Sequence, residues 1–432
     1  MFSGFVSAFR TPDLRKKLLL TLGIIAVYRL GVAIPTPGVD FKAVQQCATT
    51  SAGSSAFQIL DLFAGGALLH LSIFALGIMP YITASIIVQL LRVLIPRFET
   101  LYREGQEGQA KLTQYTRYIT VGFAALQSAS YITLARNGQF FPGCSVPIVP
   151  DESWSTISLM VLTMTAGTVF VMWLGERITE RGVGNGMSLL IFTSIAAAFP
   201  SNMTSIWRSS NGPTNTMLLI VLLLVVISVV VFVEQSQRRI PVQYAKRVVG
   251  RRTLGGSSTY IPLKINMSGV IPVIFASSLL TLPTVIAQFS GANPAGWVVW
   301  MKDHLATPSS PLHLVLYTLL VIFFAYFYTA ITFNPDQVAD DMKKYGGFIP
   351  GIRPGRPTAD FLSFVLSRIT AAGSIYLAIV ALVPTIAFIM MGVSTNIPFG
   401  GTSILILVGV GLDTVKRIQS QLEQRHYEGF LK

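Results

Sequence analysis

Apolar residues along this chain gather in long runs instead of alternating. The runs approach the length a helix needs to cross ~30 Å of hydrocarbon while satisfying its own backbone hydrogen bonds. Ten such windows are predicted: Leu18–Ile34, Leu71–Val93, Tyr118–Leu134, Ser155–Leu174, Gly186–Phe199, Met217–Val233, Met267–Phe289, Leu312–Phe333, Leu362–Val383 and Thr402–Val415. The fifth and tenth are short. The connections between windows are rich in Pro, Gly, Ser and charge, so the pattern predicts an all-α polytopic membrane protein with no separate soluble domain. One apolar stretch, residues 57–70, is too short to span and is broken at Gly65-Gly66. Beside a window interrupted at Pro80, it reads as re-entrant, a backbone tolerated at membrane depth only when buried in protein or lining a cavity. An interfacial helix is the other reading.

Composition supports the membrane reading. Of 432 residues, 52% are apolar and 12% charged, against about 25% charged in a soluble domain, and mean hydropathy is +0.60. Charge adds an orientation. With the N-terminus inside, 27 of the 32 Lys and Arg fall on the inner side; Lys42, Arg136, Arg208 and Lys302 fall outside, and Arg29 lies within the first window. This is a positive-inside pattern with both termini cytoplasmic. The first window follows basic residues as a signal peptide would, but it runs into Pro35-Thr-Pro-Gly38 without a small-residue cleavage pattern. Cys47 and Cys144 both fall outside, where a disulfide and two free thiols are equally open.

Little in the chain suggests catalysis. His70, His304, His313 and His426 lack ligand spacing, and Gly182, Gly184 and Gly186 follow no strand and precede no Gly-Lys-Ser/Thr, which makes them a tight turn into the fifth window. Carboxylates, which inside a membrane mark proton or cation coupling, stay at window ends (Glu176, Asp413) or before the second window (Asp61). Gln89, Gln127 and Asn266 are polar groups that either join helices or line a gate. The chain reads as a conduit. A secondary solute transporter with broken helices is the alternative, and the charged midplane residues it would need are missing.

Two inner loops exceed what orientation requires. Residues 234–264 carry Arg238, Arg239, Lys246, Arg247, Arg251, Arg252 and Lys264 interleaved with Tyr, Val and Ile, a cationic surface suited to phosphates or acidic protein. Residues 333–358 read as a short helix followed by dense Gly/Pro turns. There Pro354 and Pro357 are expected to hold Arg353 and Arg356 extended at a stiff tip.

Tyr28-Arg-Leu-Gly31, Ile34-Pro-Thr-Pro-Gly38, Phe63-Ala-Gly-Gly-Ala-Leu68, the run Phe74 to Ser85, Thr113 to Tyr118 and Gly175 to Gly186 form one ordered series of motifs. Arg238 to Arg252, Gly346 to Gly355, Phe399 to Ser403 and Tyr427 to Leu431 continue it. Over essentially its whole length the chain resembles the SecY family, the central subunit of the bacterial protein-conducting channel. The resemblance implies two inverted five-helix halves, residues 1–210 and 211–432, around an hourglass pore. It implies a plug at Phe63, Ala64, Gly65, Gly66, Ala67 and Leu68, and an apolar pore ring of Ile82, Ile86, Met187, Ile191, Ile274 and Ile406. It further implies a lateral gate between the second and third spans and the seventh and eighth, for which Gln127 and Ser278 are candidates. The implied partners are the small subunits SecE and SecG, the SecA ATPase, the ribosome, signal sequences and unfolded preproteins, in the cytoplasmic membrane. Arg251 and Arg252 match arginines that meet ribosomal RNA, and Arg353 matches one needed for SecA-driven export. No cofactor is implied, because the energy comes from translation or from SecA.

Overall fold

The structure, a computed structural model, describes residues 11–50, 61–136, 138, 144, 146–151, 153–207, 212–244, 247–249, 252–254, 258–288, 296–307, 310–390 and 401–429. The elements of the first half are α1 (Pro12–Ala33), α2 (Phe41–Thr50), α3 (Met79–Leu94), α4 (Pro96–Arg103), α5 (Gln106–Arg136), α6 (Trp154–Arg181) and α7 (Gly186–Trp207). Next come α8 (Gly212–Gln235), β1 (Gln237–Tyr244), β2 (Arg247–Val249), β3 (Arg252–Leu254), β4 (Ser258–Lys264), α9 (Ile271–Gln288) and α10 (Gly296–Met301), the last followed by a π-turn. The chain closes with α11 (Pro311–Thr332), α12 (Pro335–Lys344), β5 (Gly347–Phe348), α13 (Arg356–Met390) and α14 (Gly401–Gly429).

Every predicted window holds a helix: α1, α3, α5, α6, α7, α8, α9, α11, α13 and α14 in order. Of these, α6, α8, α11 and α13 are long and apolar enough to cross a membrane by themselves. Several run past their apolar windows; α5 has 31 residues, α13 has 35 and α14 has 29. Their polar ends are supported by pairs one turn apart, Glu107 with Lys111 at 3.1 Å and Asp413 with Arg417 at 2.8 Å.

The second window departs from its expected form. Its helix begins only at Met79, with Pro80 in the first turn, and residues 65–78 are a chain of turns. Gly65, Gly66, Leu71 and Gly77 there take positive φ (71°, 92°, 46° and 54°), a backbone no α-helix accommodates. After Leu94 the chain bends by 101° into α4.

Packing repeats with an offset of five helices. In the first half the second span packs on the third, the third on the fourth, the fourth on the first and fifth, and the first on the fifth (α3–α5, α5–α6, α1–α6, α6–α7, α1–α7). The second half repeats all five pairs as α9–α11, α11–α13, α8–α13, α13–α14 and α8–α14. An odd number of spans per unit inverts the second copy, so the fold is two inverted five-helix halves. The expected boundary at residue 210 lies outside the described residues. The halves meet through α7 against α8 and α14, and again through α3 against α9. Outward faces carry large exposed apolar side chains, among them Leu30, Leu126, Leu162, Leu224, Phe232 and Leu319, as a lipid-facing surface requires.

Helix α2 is pinned at both ends. Asp40 Oδ1 accepts from the amides of Lys42 (2.9 Å) and Ala43 (3.3 Å), and the Asp40 amide donates to Ile148 O at 3.0 Å. Cys47, fully buried, is disulfide-bonded to Cys144, which closes the alternative that the sequence leaves open.

The first basic loop is not merely a charged connection. It is an antiparallel hairpin of β1 and β4 in register from Gln237↔Lys264 to Gln243↔Ser258. β5, from the second loop, joins β1 at Gln243↔Phe348 and Tyr244↔Gly347, so both loops share one sheet in the order β4-β1-β5. Beneath it Ile240, Val242 and Leu263 pack with Met342 and Ile349 and with Leu362 and Val365 of α13.

Candidate functional site

At the centre, residues 61–78 fold back into protein. A single apolar cluster holds Leu62, Phe63, Ala64, Ala67 and Leu68 together with side chains from both halves. Asp61 organises the turn: its Oδ1 accepts from the amides of Leu68 (2.8 Å) and Leu69 (3.0 Å), and its backbone carbonyl accepts from Gly66 N at 3.0 Å. Burial pushes this carboxyl from 3.8 up to about 6, against the pull of the two amides. Gly65 is required twice: its φ is positive, and a Cβ there would sit 3.1 Å from the Cα and side chain of Ser194 on α7. Residues 61–69 thus lie against α1 and α7, while residues 57–60 of that stretch lie outside the described residues.

Five of the six residues expected at the constriction are buried in the same cluster: Ile82 and Ile86 on α3, Ile191 on α7, Ile274 on α9 and Ile406 on α14. They lie on four helices, two from each half. Met187 differs, because it opens α7 and seats its sulfur in the notch left by Gly175 of α6. The turn before it is built as the glycines indicate: Gly184 has φ +89°, and Asn185 Oδ1 caps the helix by accepting from Met187 N at 3.1 Å.

Gln127 is half-buried on α5 and Ser278 is buried on α9. The structure reveals a more polar place beside the α3–α9 seam, a groove of about 380 Å³ between α3, α5 and α11. It is lined by Tyr81, Ser85, Gln89, Arg92, Tyr102 and Tyr328, among others. Arg92 lies over the Tyr102 ring, 3.1 Å from its centroid. Sequence reasoning singled out only Gln89 of this set. The signal was nonetheless present, since positions 81, 85, 89 and 92 recur at helical spacing along one face.

On the basic sheet Arg238 and Arg239 are exposed on β1, and the Arg239 guanidinium lies 4.8 Å from the Tyr260 ring centroid. Arg247 lies on β2 opposite Leu254 and Arg252 on β3 opposite Val249; Lys246 and Arg251 lie outside the described residues. Arg353 is exposed between turns, and its carbonyl accepts from Thr358 Oγ1 at 2.9 Å. Arg356 corrects the expectation: it is the first residue of α13 and not an extended one. Pro357 sits in the first helical turn, where its missing N–H is no loss, and Gly355 O accepts from Thr358 N and Ala359 N. Among the described residues no group of His, Cys, Asp or Glu could hold a metal ion.

A helical bundle of two inverted halves, with a turn segment buried in its apolar core and a basic sheet at one end, has the architecture of a membrane channel. Solved structures share that architecture. A protein-conducting channel matches with a TM-score of 0.62 at 17% identity over 93% of this chain and 91% of that one. Sec61 from a canine ribosome-channel complex matches with a TM-score of 0.59 at 15% identity, over 93% and 91%. Sequence comparison then makes the assignment specific. The SecY family model matches residues 72–415. Protein translocase subunit SecY of Streptomyces scabiei is 60% identical over the full length of both chains, and that of Mycobacterium tuberculosis is 57% identical, also over both full lengths. The chain belongs to the SecY family, and its function is that of a protein translocation channel, not of an enzyme.

Proposed function

We propose that the chain is a passive pore for unfolded secretory proteins, with a lateral exit for membrane segments, set in the bacterial cytoplasmic membrane with both termini in the cytoplasm. Segment 63–68 is its plug. Ile82, Ile86, Ile191, Ile274 and Ile406 are its ring, and Met187 stands at the margin of that ring. The observation that carries the reading is the single buried cluster in which plug segment and isoleucines from four helices meet. Such a ring offers ions neither charge nor hydrogen bonds and can dewet when closed, yet it can mould to any extended chain. Gln127, Ser278 and the groove at Tyr81 and Gln89 are candidate linings of the lateral exit.

Energy comes from outside the chain. The sheet that ties the two basic loops into one body supports a common dock for the SecA motor and for ribosomal RNA, through Arg238, Arg239, Arg247, Arg252, Arg353 and Arg356, with Lys246 and Arg251 in the same loop. Guanidinium contacts to phosphate need no particular sequence. Two structural relatives are recorded as ribosome complexes, canine Sec61 and yeast Ssh1. SecE and SecG complete the assembly. The test is site-specific crosslinking of a stalled preprotein to positions 82, 191, 274 and 406. Crosslinks at all four are expected, and their absence at all four would refute the pore.

A further inference from the structure

Arg29 is the only Lys or Arg inside the first predicted window, and its guanidinium ends on peptide carbonyls. Nη1 donates to Gly65 O at 2.9 Å, and Nη2 reaches Thr193 O of α7 at 3.5 Å. The preceding residue makes the matching contacts. The Tyr28 hydroxyl lies 2.8 Å from Ser194 Oγ and donates to Ala64 O at 3.4 Å. Two consecutive carbonyls of the plug segment are thus held by two consecutive residues of α1, and each of those residues is braced by a residue of α7. The register is fixed tightly. Tyr28 is fully buried and stacks on Phe74 at 6.0 Å, and the Phe74 ring fills the space a Cβ on Gly31 would need.

We propose that Tyr28 and Arg29, braced by Thr193 and Ser194, are a clasp that holds the plug shut, so that opening requires both donors to leave the carbonyls of Ala64 and Gly65. The proposal rests on reading residues 63–68 as the plug. Two features of the chemistry suit a clasp over a permanent bond. Carbonyl acceptors carry no net charge, so release leaves no unpaired carboxylate behind, only a guanidinium that water or a passing peptide carbonyl can take up. The fork geometry of arginine also matters, since a lysine in its place has one charged nitrogen and cannot serve carbonyls on two different segments in the same way. Arg29 is therefore a positioning residue for the closed state.

The test uses the full chain with its partner subunits in lipid vesicles. Ala67, fully buried in the closed form, is changed to Cys as a reporter, and a membrane-impermeant maleimide is added on the outer side. In this background Arg29→Gln is expected to raise the labelling rate ~10-fold or more, from the loss of charged hydrogen bonds. Arg29→Lys should fall between parent and Gln. Tyr28→Phe keeps the stack on Phe74 and removes only the hydroxyl; it should raise labelling by a smaller factor, and it decides the matter if Arg29→Gln lacks a cooperative thermal transition. Labelling as slow as in the parent, in folded Arg29→Gln and in Tyr28→Phe, overturns the clasp. Deletion of residues 62–69 tests the underlying reading separately, through ion leak. If the deletion does not leak, the plug reading fails while the labelling result still judges whether the donors hold the segment.

Discussion

Substituting Asp61 in two ways should move the plug in opposite directions. The residue as a whole is only half-buried, but its carboxyl turns inward onto the amides of Leu68 and Leu69. In the displaced plug it would titrate near 3.8, whereas in place it titrates near 6. Each tenfold change in acidity is worth about 1.4 kcal/mol, so keeping the carboxylate charged in the closed form costs up to about 3 kcal/mol at pH 7. The closed form binds the proton more tightly than the displaced form between pH 4 and 6. Its stability therefore falls as pH rises through that window and levels off above it. Asp61→Asn removes the charge but keeps an oxygen for both amides, and should favour closure at pH 7.5 by up to about 100-fold with no pH dependence. Asp61→Ala removes the acceptor and leaves two buried amides unpaired at about 1–3 kcal/mol each, so it should favour opening. Quencher-anion leak from vesicles between pH 4 and 7.5, normalised to the deletion of residues 62–69, measures both. Leak that is flat with pH in the parent, or that rises in both variants, would refute the reasoning.

Ile406→Asn should loosen the ring, since it forfeits about 1.5–3 kcal/mol of apolar burial and places an amide among isoleucines; increased ion leak and export of substrates with weak signal sequences would register it. Replacing Cys47 and Cys144 by Ser should cost about 2–4 kcal/mol, read as a lower midpoint of thermal unfolding that reductant reproduces in the parent and does not change in the variant. Val242→Asp puts an unpaired carboxylate under the β4-β1-β5 sheet, and faster proteolysis of both basic loops, not only the one mutated, is the expected result. Arg353→Glu should abolish SecA-driven preprotein import into vesicles while leaving membrane insertion of the channel intact, and unchanged import would count against the dock.

The spans were legible because a membrane-crossing helix writes itself as an uninterrupted apolar run, and all ten runs hold helices. Their ends were less legible. Charged residues such as Lys111 and Arg417 continue a helix into water through pairs one turn apart, which an apolarity criterion cuts off. Residues 71–78 misled for the opposite reason: Leu71-Ser-Ile-Phe-Ala-Leu is as apolar in a buried turn as in a helix, and only the glycines around it hint at positive φ. In the basic loop the alternation Arg239-Ile-Pro-Val-Gln243 carries the period of a strand, but the density of charge drew the reading toward a solvated surface. The pairing of β1 with β5 across a hundred residues has no local signature at all. Neither has the disulfide, beyond the placement of both cysteines on one side of the membrane.

On the proposed reading of residues 63–68 as a plug, how that segment is held bears on how a channel with a lateral exit could open sideways without leaking. The two halves are joined broadly along α7, α8 and α14 and meet again at α3 against α9. Parting α3 from α9 separates Ile82 and Ile86 from Ile274, and so would change the proposed ring. The contacts of Tyr28 and Arg29 with Ala64, Gly65, Thr193 and Ser194 lie entirely within the first half, on α1, α7 and the plug segment itself. A hinge motion between halves need not disturb any of them. If the α3–α9 seam is the lateral exit and residues 63–68 the plug, as proposed, exit of a membrane segment and release of the plug are mechanically separable on this architecture. The first strains the ring, and the second requires the donors of α1 to let go. A channel with one shared lock could not admit a segment to lipid without also opening toward the outside, whereas two locks on different interfaces allow it.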